Sequence, residues 1–278
     1  MDPDEMRATA MAALGVSELE PLRVGGQKEV YTATLEGVDV AVKLVVVPDT
    51  AYSAEAVERA RREVDLLSRV DSDHVVKVLS DAIDIGERPE AVCWAEEWLD
   101  GEDVADVLHH PWSPEVVWTL VEHLGLGLAA CHELDVVHRD LSPGNVRRRT
   151  DGRFVLMDPG FARHLARTAI TGLFQPGTPG YLTPEHIPGG QPTPASDVFG
   201  IGILAYQALT GELPIQPVDD AAYFEQLKNG QVASVATVRE GLPDDLVSLV
   251  DRCLQRQPAR RYLDAEELLN GLPSEAAG

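Results

Sequence analysis

The spacing of apolar positions changes character along the chain. Residues 4–14 read as a short leading helix that Gly15 stops. From Leu22 to Val47 the pattern turns to strand: EVYTATLEG, a turn at Glu36-Gly37, then VDVAVKLVVV. A helix is predicted from about Ala54 to Val70, opened by Ser53, with Val57, Val64, Leu67 and Val70 as its buried stripe. Two apolar runs follow, HVVKVLSDAIDIG and PEAVCWAEEWL, expected as strands joined by a turn near Gly86-Glu87. Together these make a unit of five strands and one helix ending near Leu99. Beyond Gly101 helical spacing dominates. Ser113-Pro114-Glu115 is a strong helix start, with Ser as N-cap and Pro at the first helical position. That helix should run to about Glu133, although Gly125 and Gly127 weaken it. NVRRR and FVLMD, parted by a turn at 151–153, predict a short hairpin, and further helices are expected at 196–210, 219–228, 243–254 and 264–271. No internal repeat or low-complexity linker interrupts the series.

Composition changes this picture little, and charge changes it more. A chain of 278 residues, 44% hydrophobic and 25% charged, suits one large domain or two closely packed lobes. Its 23 Lys and Arg stand against 46 Asp and Glu, a formal charge of −23. A field of that sign argues against nucleic acid and anionic membrane as partners. Cys93, Cys131 and Cys253 are isolated among apolar neighbours, so buried free thiols in a reducing compartment are expected rather than a metal site. The first residues carry acids where a secretory signal needs basic ones, and no apolar run approaches the roughly 20 residues of a membrane span. A soluble, cytoplasmic protein is expected.

The chemistry concentrates between His138 and Gly160. His138-Arg139-Asp140 is followed five residues on by Asn145, then a hairpin, then Asp158-Pro159-Gly160, thirteen residues beyond Asn145. Phosphoryl transfer from a nucleoside triphosphate needs such a set: one carboxylate to orient the incoming hydroxyl, and a second, with an amide oxygen, to hold Mg²⁺ on the phosphates. The arrangement resembles the signature of the protein kinase superfamily, in its bacterial (Hanks-type) serine/threonine form. The resemblance extends over roughly residues 18 to 272.

That resemblance implies an α+β, two-lobed fold: a small lobe of five antiparallel strands with one main helix, and a larger, mostly helical one. It places an N-terminal extension with helical character at 1–17, the small lobe at 18–99 and the large lobe at 100–278. Lys43, ending VAVK, would contact the α- and β-phosphates of ATP, held by Glu63 from the helix. The glycine loop falls on residues 23–30, where Gly25 is kept and Gly26 stands beside it, so backbone can approach the phosphates; Lys28 replaces a glycine there and either adds a charge to the phosphates or faces solvent. Glu97 and Leu99 would offer backbone to the adenine edge, Val30 and Ala41 would roof it, and Asp103 would meet the ribose. Asp140 would orient the substrate hydroxyl; Asn145 and Asp158 would ligate Mg²⁺, with Mn²⁺ as an alternative. Asp197 would brace the catalytic loop. GTPGYLTPE, residues 177–185, closely resembles the peptide-binding segment of serine/threonine kinases; there Thr178 would bond Asp140, and Glu185 would pair with Arg261. A protein substrate with a Ser or Thr acceptor is implied, and Thr168 or Thr171 would be autophosphorylated opposite Arg139. The oligomeric state is not readable.

Departures keep a second class open. Ser142 stands where a lysine normally neutralises the transferring phosphoryl group, a loss of the order of 10²–10³ in rate. Pro159 replaces the phenylalanine of the magnesium triplet. Glu96 and Arg147 put charges where the family has apolar or small residues beside the base, and are expected either to pair or be partly wet, or to turn outward. The alternative to an active kinase is therefore a pseudokinase acting as a nucleotide-binding or scaffold module. Retention of Lys43, Glu63, Asp140, Asn145 and Asp158 favours the enzyme, and residues 177–185 disfavour a small-molecule phosphotransferase.

Overall fold

The computed structural model describes residues 1–23, 28–47, 53–158, 178–187 and 191–273. Gly25, Gly26, Pro159, Thr168 and Thr171 lie outside them. The chain divides into two units, Met1–Val70 with Val76–Leu99, and Asp71–Val75 with Asp100–Gly278.

The first unit is built on a five-stranded sheet, β1 (Ser17–Arg23), β2 (Lys28–Leu35), β3 (Val38–Val46), β4 (Ile83–Ile85) and β5 (Ala91–Glu97), in the order β1-β2-β3-β5-β4. Every pairing is antiparallel. β2 and β3 are joined through Glu36 and Gly37, both at positive φ (51° and 83°), the geometry of a type I′ hairpin turn. Alternation gives the sheet two apolar faces. On one, Tyr31, Val40, Val42, Leu44 and Cys93 are covered by α1 (Pro3–Leu14), which buries Met6 and Ala10 there. α1 starts where the Asp2 carboxylate accepts the N–H groups of Asp4 and Glu5, and stops at Gly15 with φ 68°. On the other face Val45 and Trp94 pack with Val64 of α2 (Ser53–Ser68). Val57, Val64 and Leu67 are buried as the spacing predicts, while Val70 falls beyond the helix end.

The run HVVKVLSDAIDIG is not one strand. His74 and Val75 belong to the second unit, where His74 O accepts from Leu156 N. Lys77 O and Leu79 N bond the β5 backbone, but the Lys77 N–H goes to the Glu97 carboxylate and the Ala95 N–H to the Ser80 hydroxyl instead of ladder carbonyls. Those side chains interrupt the pairing until Ile83.

The second unit contains β6 (Glu102–Asp103), α3 (Val104–Val107), α4 (Pro114–His132), β7 (Val146–Arg148), β8 (Phe154–Leu156), α5 (Pro194–Thr210), α6 (Asp220–Asn229), α7 (Asp244–Cys253) and α8 (Ala265–Asn270). Strands β6, β7 and β8 form a small antiparallel sheet. α5 is buried along nearly its whole length. The glycines of α4 have a packing reason: a Cβ on Gly127 would lie 2.7 Å from His74 O and 2.8 Å from Leu156, and one on Gly125 would lie 2.9 Å from Leu269. The helix surrenders propensity there to come close to its neighbours. Gly101 is fixed more rigidly, with φ 87° and a hypothetical Cβ 2.1 Å from Arg148 O. All three cysteines are free and buried, and burial pushes each thiol up to about 12.

Candidate active site

The first unit arranges its candidate residues through strand register. Val30 lies opposite Lys43, Ala41 opposite Glu96 and Lys43 opposite Trp94. Residues opposite each other share a face, so Val30, Ala41, Lys43, Trp94 and Glu96 all stand on the α2 side of the sheet. Lys28, at the start of β2, has its ammonium 5.7 Å from the centre of the Trp94 ring. Glu63 is buried on α2. One carboxylate on Lys43 is that of Glu96, with Nζ 2.5 Å from Oε2. Glu97 donates its N–H to Lys77 O at 2.9 Å, which removes that N–H as a contact for adenine. Leu99 closes the unit, buried.

In the second unit the loop at 138–145 hangs on Asp197, at the start of α5. Asp197 Oδ2 accepts from His138 N (2.8 Å) and His132 Nε2 (3.0 Å), and Oδ1 accepts from Arg139 N (2.9 Å). Arg139 sits at φ 67°, a left-handed conformation that a non-glycine residue keeps only when its surroundings hold it. His186 supplies more of that hold: its Nε2–H donates to Arg139 O at 2.9 Å while Nδ1 accepts from Thr183 N at 3.1 Å. Burial lowers the His186 pKa, in keeping with a neutral ring that both donates and accepts. His138 donates from Nε2 to Met157 O at 3.2 Å.

Asp140, buried, is gripped from two sides. Asn145 Nδ2 donates to its backbone carbonyl (2.7 Å) and to Oδ2 (3.0 Å), and the Thr178 hydroxyl lies 3.4 Å from Oδ1. The hairpin explains the spacing of Asn145 and Asp158. Val146 pairs with Leu156 and Arg148 with Phe154, so Asn145 and Met157 meet at the open end, where Met157 N donates to Asn145 O at 2.8 Å. Asp158 is the next residue, at φ 50°.

The two unusual charges are each balanced within their own unit. Glu96 has Lys43, and Arg147 Nη1 reaches Asp103 Oδ1 at 2.9 Å while its Nε donates to Asp100 O. Asp103 therefore carries Arg147 on the carboxylate assigned from sequence to the ribose. Glu185 and Arg261 form a two-bond pair at 2.8 and 3.0 Å. Burial acts to raise the Glu185 pKa, but the guanidinium, with the Thr183 and Ser196 hydroxyls, holds it below the ordinary carboxylate value. Arg261 also donates to Ala195 O, Gln255 O and Arg256 O, with its guanidinium carbon 4.6 Å from the Phe199 ring centre.

Sequence reasoning missed His132, His186 and Trp94. His132, ending α4, carries no local signal; His186, directly after Glu185 in the peptide-segment motif, was within reach of one.

The sequence model of the protein kinase domain matches residues 17–271. The chain belongs to that family, and its five-stranded antiparallel sheet followed by a mostly helical unit is the α+β make-up of a kinase fold. It is 34% identical over 266 residues to the serine/threonine-protein kinase pkn2 of Myxococcus xanthus, covering 91% of this chain and 31% of that protein. It is 32% identical over 247 residues to serine/threonine-protein kinase PknL of Mycobacterium tuberculosis (87% and 60%) and 28% identical over 251 residues to PrkC of Bacillus subtilis (88% and 38%). The chain thus spans 31% to 60% of the length of these relatives.

Proposed function

We propose that this chain is an ATP-dependent serine/threonine protein kinase, transferring the γ-phosphate to Ser or Thr hydroxyls of a protein substrate and to its own Thr171 or Thr168. Residues 18–272 form the catalytic domain in this reading, with lobes at 18–99 and 100–278 and residues 1–17 as an extension. The observation that carries the proposal is the grip on Asp140: Asn145 and Thr178 reach different oxygens of one buried carboxylate. A carboxylate so oriented can align an incoming hydroxyl and take its proton. The named relatives, all serine/threonine-protein kinases, support the substrate class.

The residues present suit a hard divalent cation. The Asn145 amide turns its NH₂ toward Asp140, so its oxygen faces the other way, and Asp158 adds a carboxylate. Mg²⁺ needs few protein oxygens because phosphates and waters complete its shell, and Mn²⁺ fits the same donors. When bound, the cation supplies charge neutralisation on the β- and γ-phosphates. Lys43 would then meet the α- and β-phosphates, with Gly25 and Gly26 allowing the backbone close. Val30 and Ala41 would cover the adenine, and the Glu97 carbonyl and Leu99 backbone would read its edge. No helix of the described residues is long and apolar enough to cross a membrane.

The test is incubation with Mg²⁺ and ATP followed by intact mass, beside Asp140→Asn. Mass gains of whole phosphates, mapped to Thr171 or Thr168 and lost by about 10²–10⁴ in rate in the variant, are expected. Absence of phosphate from the chain and from a generic basic protein would overturn the proposal.

A further inference from the structure

A buried carboxylate sits on the amine that nucleotide phosphates would require. Lys43 and Trp94 are directly opposite across β3 and β5, and Glu96 lies two residues beyond Trp94 on the same face. Glu96 Oε2 takes the Lys43 ammonium at 2.5 Å, and Oε1 accepts the Trp94 indole N–H at 2.8 Å. Lys43 is 5% exposed, Glu96 2% and Trp94 0%. Both carboxylate oxygens therefore have donors, and the indole fixes the rotamer that aims Oε2 at the lysine. Separating a buried pair costs far more than separating an exposed one, because each charge is left without water. Ala41, across from Glu96, is too small to screen it.

We infer that Glu96 is an intramolecular competitor for Lys43 that sets nucleotide affinity: the phosphates of a nucleoside di- or triphosphate must displace its carboxylate before they gain the ammonium. The inference rests on the role proposed above for Lys43. A conformer that must be opened before binding lowers apparent affinity by the fraction of molecules already open. A paired state holding nine-tenths of the population weakens binding about tenfold. Glu96 acts through Lys43 and is thus a positioning residue. The effect that runs through Lys43 belongs to the phosphates, so adenosine, which has none, separates it from any contact of Glu96 with the base.

Glu96→Gln keeps the shape and leaves an amide oxygen for the Trp94 N–H while removing the charge. Calorimetric titration of wild type and variant with Mg²⁺-ATP, Mg²⁺-ADP and adenosine is the measurement, with KM for ATP and kcat alongside. The expected result is about tenfold tighter ATP and ADP binding, unchanged adenosine binding, and a fall in KM larger than any change in kcat. Urea midpoints for Lys43→Met, Glu96→Gln and the double variant test the pair without nucleotide: the double should lose less than the sum of the singles. Strictly additive losses, unchanged ATP affinity, or equal gains for adenosine and ATP would each overturn the inference while leaving wild-type phosphorylation, and so the kinase reading, intact. Failure of both proteins to bind any nucleotide would overturn both.

Discussion

Asp197 shows how much of the site depends on a side chain that touches no reactant. Its two oxygens accept two consecutive backbone N–H groups, those of His138 and Arg139, immediately before Asp140. An asparagine there presents an NH₂ to one of those N–H groups, so at least one bond is lost and replaced by two donors facing each other. Arg139 then has less to hold it at φ 67°, and the Asp140 carboxylate shifts. Displacements of about 1 Å in a catalytic group cost on the order of 10²-fold in rate. Asp197→Asn is therefore expected to lower kcat about 10²-fold with little change in KM for ATP, measured on a fixed protein substrate. A change confined to KM would sink this reading of Asp197. At this scale the sequence was most informative where chemistry fixes both residue type and spacing: His138 to Asn145, Asp197, Glu185 with Arg261. It was least informative about partners. That Lys43 holds Glu96, and Arg147 holds Asp103, follows from strand register and rotamer, which no local pattern encodes.

Elements were legible in proportion to their length. α2 and α4 follow from periodicity and start signals, and α5 was expected at 196–210, two residues short of its start at Pro194, whereas β6 and α3, two and four residues long, are shorter than any repeat that could announce them. The broken run before β4 was misread because apolar alternation continues through Ser80, whose hydroxyl intercepts a ladder N–H. α4 carries one further consequence. Its His123 Nδ1 accepts from Phe154 N (3.1 Å), while His74, stacked on it at 4.3 Å between ring centres, donates to Phe154 O. Burial, followed by the neighbouring His74 and Arg153, lowers the His123 pKa from 6.5 to about 4. Between those values the unfolded chain binds a proton that the folded chain refuses, so stability falls as pH drops from about 6.5 toward about 4 and levels below that. His123→Asn keeps an acceptor for Phe154 N–H without the titration. Urea midpoints at pH 7.5 and 5.0 should fall further in wild type than in the variant; equal falls would mean that His123 does not contribute.

Across the whole molecule two electrostatic effects oppose each other. The structure has attractive exposed pairs such as Arg61 with Glu58 at 2.7 Å and Arg252 with Glu267 at 2.5 Å, and added salt weakens them. Each is worth only about 0–1 kcal/mol. Against them stands the formal charge of −23, a surplus of carboxylates over cations that repel one another in the folded state more than in the expanded one. The screening length shrinks from about 30 Å at 0.01 M salt to about 8 Å at 0.15 M, so long-range repulsion is removed before contacts at hydrogen-bond distance are. The buried pairs, Lys43 with Glu96 and Arg261 with Glu185, are screened least of all. Repulsion should therefore be the term that salt relieves. The thermal midpoint is expected to rise by a few degrees between 0.01 and 0.15 M NaCl and to flatten above that, read by calorimetry at pH 7.5. A midpoint that falls with salt would mean that the exposed pairs outweigh the surplus charge, and that this acidic surface is organised into attractive networks.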